Sequence, residues 1–443
     1  MKHLRLLFYT VLISITCLAN TLAQESNDEG EVFRFNLNQA VDYAIENNYS
    51  MQNAKLDIVA AKKEIWKTTA IGLPQASGSY DYQYIPGDLP TLFFPDGSGG
   101  MREVSLGVKS SATYGVTVSQ LIFSGEYIVG LQAAKTYLQI SKNALEKTDL
   151  DTRETVTNGY YSALILKGTL ETIDSSISNL NRVYLDTKAM YENGLAEETD
   201  VQQFEVSVSQ LKNARKATER QLELSYMMLK TTLGMVNDQQ LILTQDLDEF
   251  FAAIDQDYLI NTEIRIEDNI EYKILENQER ISELSVKREK AKFLPSLSGF
   301  YRYSDKTNKA DFDITFNHIL GFNLSVPILS SGQRLASVQK ANVELKKSIN
   351  NRIAYGETVN MLYEQVKKNF LSAYETYQTQ KRNIELTNKI YENTIIKYNE
   401  GMASSLEVSD AHRQYLDAIG TYTQAISGLL TAKTALERAY NDL

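Results

Sequence analysis

Two long stretches of this chain carry an apolar residue at every seventh position. In the first these are Val156, Ala163, Leu170, Ile177, Tyr184 and Tyr191; in the second Tyr363, Phe370, Tyr377, Ile384, Tyr391 and Tyr398. A seven-residue apolar repeat keeps one seam of a helix against a neighbour and imposes a left-handed supercoil. Residues 125–191 and 332–398 contain no proline, so each stretch predicts one unbroken helix of roughly 100 Å at ~1.5 Å per residue. Globular-domain helices are far shorter. Each run stops at a glycine, Gly194 or Gly401, the residue suited to a left-handed C-terminal cap. Thr199-Asp200 and Ser404-Ser405 then offer N-cap chemistry, and a second periodic helix runs back over about 200–233 and 406–439. The pattern predicts two antiparallel helical hairpins with tips near Gly194 and Gly401. Taken alone, such hairpins also suit a soluble structural coiled coil.

Ahead of each long helix the period changes from seven to two. Ala76, Gly78, Tyr80, Tyr82 and Tyr84 alternate with Gln75, Ser77, Ser79, Asp81 and Gln83. Tyr114, Val116 and Val118 alternate with Thr113, Gly115, Thr117 and Ser119. Further on, Leu297, Gly299, Tyr301 and Tyr303 alternate with Ser296, Ser298, Phe300 and Arg302, and Leu320, Phe322, Leu324 and Val326 with Gly321, Asn323 and Ser325. One face is apolar or aromatic and the other small and polar, as in a strand between lipid and a wet lumen. A strand half-buried in a soluble sandwich alternates in the same way. Small residues on the polar faces and crowded tyrosines on the apolar faces favour the membrane. Four strands cannot close a barrel, and an open edge is not tolerated in hydrocarbon. Several chains must therefore share one cylinder. Three chains give twelve strands, an even number within the range of outer-membrane barrels; two or four chains would close as well.

The chain is written twice. Ala70-Ile71-Gly72-Leu73-Pro74 matches Ala291-Lys292-Phe293-Leu294-Pro295 at an offset of 221, as Asn47-Asn48 matches Asp268-Asn269. Beyond the strands the offset becomes 207: Ile122-Phe123-Ser124-Gly125 matches Leu329-Ser330-Ser331-Gly332, and Tyr191-Glu192-Asn193-Gly194 matches Tyr398-Asn399-Glu400-Gly401. The 14 extra residues of the first copy belong to about 86–100, rich in Pro, Gly and Asp, which reads as an exposed loop. The domain organisation is then a signal peptide at 1–23, a first repeat at 24–234 (strand pair about 74–123, tip at 194), a connector at 235–262, and a second repeat at 263–443 (strand pair about 295–328, tip at 401).

The signal peptide rests on basic Lys2 and Arg5, an apolar core over 6–18 and the small residues around Ala23. Its removal takes Cys17, the only cysteine, so no disulfide or Cys-ligated metal is expected. Net charge moves from −11 to −13 as Lys2 and Arg5 leave, which argues against nucleic acid. No later segment is apolar for long enough to cross a membrane as a helix. Twenty-seven Tyr and only six Pro suit interface belts and uninterrupted helices. His318 and His412 have no partner of metal-ligand spacing, and no nucleophile triad, phosphate loop or dinucleotide fingerprint is present. Neither an enzyme nor a cofactor is expected.

From about Phe35 to Leu443 the chain resembles the TolC family of outer-membrane efflux and secretion channels. The resemblance is carried by the order and spacing of Phe35-Asn36-Leu37-Asn38-Gln39-Ala40 through Glu46-Asn47-Asn48, of Gln120-Leu121-Ile122-Phe123-Ser124-Gly125, and of the duplicated Tyr-x-x-Gly tips. It implies a mainly α protein with membrane β: a homotrimer with a twelve-stranded β-barrel among outer-membrane lipid and a periplasmic α-barrel, with the connector in an equatorial region. A periplasmic adaptor docking at the hairpin tips Gly194 and Gly401 and an inner-membrane transporter are the implied partners, in a tripartite pump or type I secretion system. The family's entrance carboxylates fall on Glu407 and Asp410, three apart and so on one helical face. In three copies they would form two rings that favour cations and can hold a divalent ion. Their spacing equally suits an acidic first helical turn favoured by the helix dipole. The family's constriction latch falls on Tyr398 and Asp200. A companion arginine-to-threonine tie falls on Ala403 and Thr199, and there the arginine is missing. The rival reading is a soluble periplasmic coiled-coil adaptor.

Overall fold

The computed structural model describes residues 32–95, 97–105, 107–252, 254, 265–310 and 313–441. The expected signal peptide at 1–23 lies outside them, as do 253 and 255–262 of the expected connector. The chain divides into one unit of Met1–Tyr43 with Gly159–Ala253 and another of Ala44–Asn158 with Ile254–Leu443.

In the first unit, β1 (Val32–Phe35) pairs in parallel with β6 (Gln240–Leu243), with Phe35 opposite Leu243. Two strands some 200 residues apart in sequence were not expected from their pattern, since each is only four residues long. The second half of α3 (Gly125–Glu192) and α4 (Glu198–Leu233) enclose Leu180, Val183, Phe204, Leu211, Leu229 and Leu233. Tyr160 is fully buried and donates its hydroxyl to the Phe35 carbonyl at 3.1 Å, while Tyr161 meets Phe250 of α5 (Leu247–Ala252) edge-on at 5.0 Å.

The seam of α3 departs from the expected one. Val156 and Ala163 are buried, but beyond Ile165 the buried positions are Ile173, Ser176, Leu180, Val183 and Thr187. Leu170, Ile177 and Tyr184 are only half-buried, and Tyr191 is exposed. The contact face lies beside the apolar heptad because two hydroxyl residues occupy it. Ser176 and Thr187 satisfy themselves by donating to the carbonyls of Thr172 (3.0 Å) and Val183 (2.9 Å) one turn back.

The second unit holds the other described strands and the helices that enter or leave them. In α2 (Tyr49–Ile71) and α6 (Ile270–Ala291) the first turn is capped by Asn48 and Asn269. The Asn48 side chain accepts from the Ser50 N–H at 2.7 Å and Asn269 from the Tyr272 N–H at 3.0 Å. The repeated asparagine is thus a repeated N-cap. Both helices run into strands. β2 (Gln75–Tyr84), β5 (Ser110–Ser124), β7 (Ser296–Lys306) and β8 (His318–Ser325) form one antiparallel sheet in the order β2-β5-β7-β8. The long first-copy connection is more than a loop: β3 (Thr91–Pro95) and β4 (Met101–Ser105) pair in it as a separate hairpin. Its strands are too short, and too closely flanked by Pro and Gly, for periodicity to reveal them.

From β5 the chain enters α3, and after β8 it enters α7 (Gln333–Asn399), which turns into α8 (Ser405–Tyr440). Here three of the six expected heptad positions are buried: Phe370, Tyr377 and Tyr391 pack in the α7–α8 hairpin with Val408, Ala411, Ile419, Ile426, Leu429 and Leu430, while Tyr363, Ile384 and Tyr398 are half-buried. At the far end of α8, Arg438 binds Asp151 and Glu154 on α3 and Glu271 on α6. Tyr363 and Tyr440 pair their hydroxyls across the same hairpin at 2.5 Å.

Candidate channel wall and hairpin tips

The register of the four-stranded sheet sorts its residues into two faces. Rows Ala76–Val118–Tyr301–Leu320, Gly78–Val116–Tyr303–His318 and Phe123–Leu297–Leu324 lie on one side. Rows Ser77–Thr117–Arg302–Ile319, Gln75–Ser119–Phe300–Gly321 and Leu121–Ser298–Asn323 lie on the other. The first face is apolar, but nothing among the described residues covers it: Tyr80 is 69%, Leu320 76% and Phe322 72% exposed. The second is mostly small and polar. Its one bulky aromatic, Phe300, lies across Gly321, where an added Cβ would sit 2.7 Å from the ring. At its margins the sheet is open. Among the described residues, β2 pairs only with β5 and β8 only with β7, leaving two rows of backbone donors and acceptors for other strands.

The two hairpin tips are copies of one motif. Gly194 and Gly401 both adopt φ of +74°, a left-handed conformation that glycine takes without Cβ strain. The Gly194 N–H donates to Tyr191 O at 2.9 Å and the Leu195 N–H to Met190 O at 2.8 Å. In the second tip Gly401 donates to Tyr398 O at 2.9 Å and Met402 to Lys397 O at 2.7 Å. This paired 5→2 and 6→1 bonding closes the helix end.

The first return helix starts differently from expectation. The N-cap of α4 is Glu197, so Thr199 and Asp200 fall inside the first turn. The Asp200 carboxylate accepts from the Glu197 N–H at 3.3 Å, and the Thr199 hydroxyl donates to Glu197 at 3.2 Å. A carboxylate at the third helical position can reach back to the cap, and that reciprocity outweighs the cap preference of Thr or Asp. In α8 Ser404 is the N-cap as expected, and Glu407 takes the third position. The Glu407 carboxylate accepts from the Ser404 N–H at 2.7 Å and from its hydroxyl at 3.1 Å. These bonds hold its pKa below the usual carboxylate value, aided by Lys397. Asp410, one turn on, pairs with Arg413 at 2.8 Å. Each proposed entrance carboxylate thus has a local partner, and Tyr398 sits in the last turn of α7 with its carbonyl engaged by Gly401.

Sequence reading passed over one feature near this tip. His412 is 3% exposed and meets the ring of Tyr391 at 5.2 Å. Its heptad neighbour was visible, but burial of a helical histidine depends on which face the partner helix covers. Among the described residues no group of three or more His, Cys, Asp or Glu could hold a metal, and no helix is long and apolar enough to cross a membrane.

A sheet that is oily and uncovered on one face, wet on the other and open at both edges, mounted on helices of 67 and 68 residues, defines the subunit of a membrane-embedded channel. The chain belongs to the outer membrane efflux protein family, whose sequence model matches residues 40–235 and 278–442. The two matched segments correspond to the two structural copies. The fold is that of solved outer-membrane channels. The chain is similar to CusC (15% identity, 95% of each chain covered, TM-score 0.73). It is also similar to VceC of Vibrio cholerae (14% identity, 91% of this chain and 95% of that one, TM-score 0.69), and to MtrE of Neisseria gonorrhoeae (15% identity, 91% and 88%, TM-score 0.72). No curated protein matches it by sequence. The chain is thus an outer-membrane efflux channel subunit with a large periplasmic part, a passive duct and not an enzyme, and the soluble-adaptor reading is set aside. Channels of this family are trimeric and work with adaptors and inner-membrane pumps.

Proposed function

We propose that three copies of this chain close a twelve-stranded barrel through their β2 and β8 edges, and that the assembly is the exit duct of a tripartite efflux pump. The observation that carries this reading is the open sheet with its uncovered apolar face. Hydrocarbon tolerates the face but not the edges, so the edges must pair between copies. A periplasmic adaptor docks at the tips around Gly194 and Gly401, linking the duct to an inner-membrane transporter; a type I secretion transporter would use the same surfaces. Within each chain the copies span 24–234 and 263–443, joined by 235–262.

At the entrance, three copies of Glu407 form a ring of carboxylates. The depressed pKa of Glu407 keeps that ring ionised, whereas the charge of an Asp410 ring is offset by Arg413. Cation preference therefore rests mainly on Glu407. Tyr398 and Asp200, with Thr199 beside it, form the constriction latch, and with Ala403 in the arginine position the second tie is absent.

The test is biochemical. The processed protein should leave membranes only with detergent, run as a heat-labile oligomer, have the native mass of three chains, and form cation-preferring pores in planar bilayers. A freely soluble periplasmic monomer would overturn the proposal.

A further inference from the structure

Close to the tip of the second hairpin, α7 and α8 meet through aromatic side chains. Tyr391 of α7 is 2% exposed, stacks on Tyr415 at 5.9 Å and tilts against His412 at 5.2 Å. Three polar atoms in this short stretch are buried without a hydrogen-bond partner: the Tyr391 hydroxyl, His412 Nε2 and the Ser409 hydroxyl. Most buried polar atoms are paired, so three orphans in one seam weaken it at that point.

Burial pushes the Tyr391 phenol above its usual pKa, with Tyr415 adding to the shift, and lowers that of His412 to about 4. Burial is the sole cause at His412. The charged side chains nearest it along the two helices are turned to solvent or paired locally. Lys389 and Glu392 on α7 are exposed, with Glu392 accepting from Asn388 at 3.1 Å. On α8, Glu407 is held by Ser404 and Asp410 by Arg413. No carboxylate waits to receive a protonated imidazole.

We propose that His412 is an acid-sensitive release for the tip end of the α7–α8 hairpin. As the neutral ring it fills the seam against Tyr391. As the cation its Nε2 has no hydrogen-bond partner in the packed seam, and it is solvated when the helices part. Glu407 and Asp410 lie five and two residues before it, so parting moves both. The consequence for conduction rests on the channel reading above; the release itself does not.

The sign follows from proton linkage. The packed state favours the neutral ring, so packing carries no penalty above the usual pKa of 6.5 and is progressively weakened as pH falls from there toward about 4. The open state takes up the proton first, and the opening equilibrium rises about tenfold per pH unit across that window, roughly 300-fold in all.

The experiment is hydrogen exchange on the intact oligomer in detergent between pH 7.5 and 4.5, corrected for intrinsic exchange, on peptides covering 384–395 and 405–419. The opening constant should rise about 40-fold between pH 6.5 and 4.5 in the native chain. It should stay flat in His412→Phe, which keeps a ring, and in His412→Gln, which keeps a neutral polar group should the first variant fold poorly. A flat native profile, or the same rise in a folded variant, overturns the proposal; the latter would assign the effect to Glu407 and Asp410. Bilayer recording separates the two readings: a native protein that forms no pore at neutral pH refutes the channel, whereas pores with a flat exchange profile refute the release.

Discussion

Adjacent residues of β8 offer a sharp test of the two-faced wall. Phe322 stands opposite Gly299 on the apolar face and is 72% exposed, with nothing among the described residues to cover it. Asn323 stands opposite Ser298 on the polar face. Substituting each with arginine adds the same charge one residue apart. In Phe322→Arg the cation faces hydrocarbon, which costs about 2–4 kcal/mol near the membrane midplane. Loss of the lipid-facing Phe removes about 1.5–3 kcal/mol more. A three-chain barrel multiplies the penalty to roughly 10–20 kcal/mol, comparable with or larger than the whole stability of a typical domain. Asn323→Arg places its guanidinium in a wet lumen, where the cost is small and the added charge shifts pore selectivity toward anions. The assays are the yield of heat-labile oligomer after refolding into lipid vesicles, a urea titration of that oligomer, and reversal potentials in asymmetric salt. Phe322→Arg should fail to assemble, or assemble with a strongly lowered urea midpoint, while Asn323→Arg assembles normally and changes selectivity. Equal behaviour of the two variants, or the opposite order, would refute the assignment of faces and with it the barrel.

Other expectations concern the hairpins. Phe370 is fully buried in the α7–α8 seam, so Phe370→Ala should cost about 3–5 kcal/mol, read as a lowered urea midpoint; a loss below about 1 kcal/mol would mean that the seam does not hold the hairpin. Ser404→Ala removes the α8 cap, a cost of about 1 kcal/mol at neutral pH. Because the Glu407 carboxyl is held below its usual pKa by Ser404, its bonding contribution is present above the ordinary carboxylate value and lost as pH falls through the folded one; the Ser404→Ala deficit should shrink on acidification, and a constant deficit would contradict this coupling. Asp200→Ala should raise single-channel conductance, and an unchanged conductance would remove Asp200 from the latch.

The large features were legible because each is a long pattern. In α7 the heptad Phe370, Tyr377 and Tyr391 is the seam, since the aromatic residues face the partner helix. The four sheet strands run from 8 to 15 residues, long enough for alternation to set their faces. Short or self-satisfied features were hidden. β1 and β6 are four residues each and pair across most of the first copy. In α3 the seam slid off the apolar heptad because Ser176 and Thr187 hide their hydroxyls on their own backbone. The start of α4 was misplaced because Glu197 is a weak cap by type and works through Asp200. At the tip, Glu407 and Asp410 were visible as carboxylates, but Arg413 was not seen as the partner of Asp410, because on an exposed helix face many i, i+3 pairs are possible and geometry selects one.

The duplication also clarifies the tip chemistry. At the offset of 207, Asp200 of the first copy corresponds to Glu407 of the second, and Glu197 to Ser404. The residue proposed for the latch and the residue proposed for the entrance ring are therefore one position of one repeat, the third residue of a return helix behind a Schellman turn. Both do the same structural work, reaching back to the N-cap backbone. That shared duty explains why an acid stands in each copy without appeal to the pore. What differs is the cap. Ser404 gives Glu407 two donors, which lowers its pKa and fixes it in place. Glu197 gives Asp200 one backbone donor and sets a second carboxylate beside it. The difference between the two tips thus lies in the cap residue, and the acid itself is common to both.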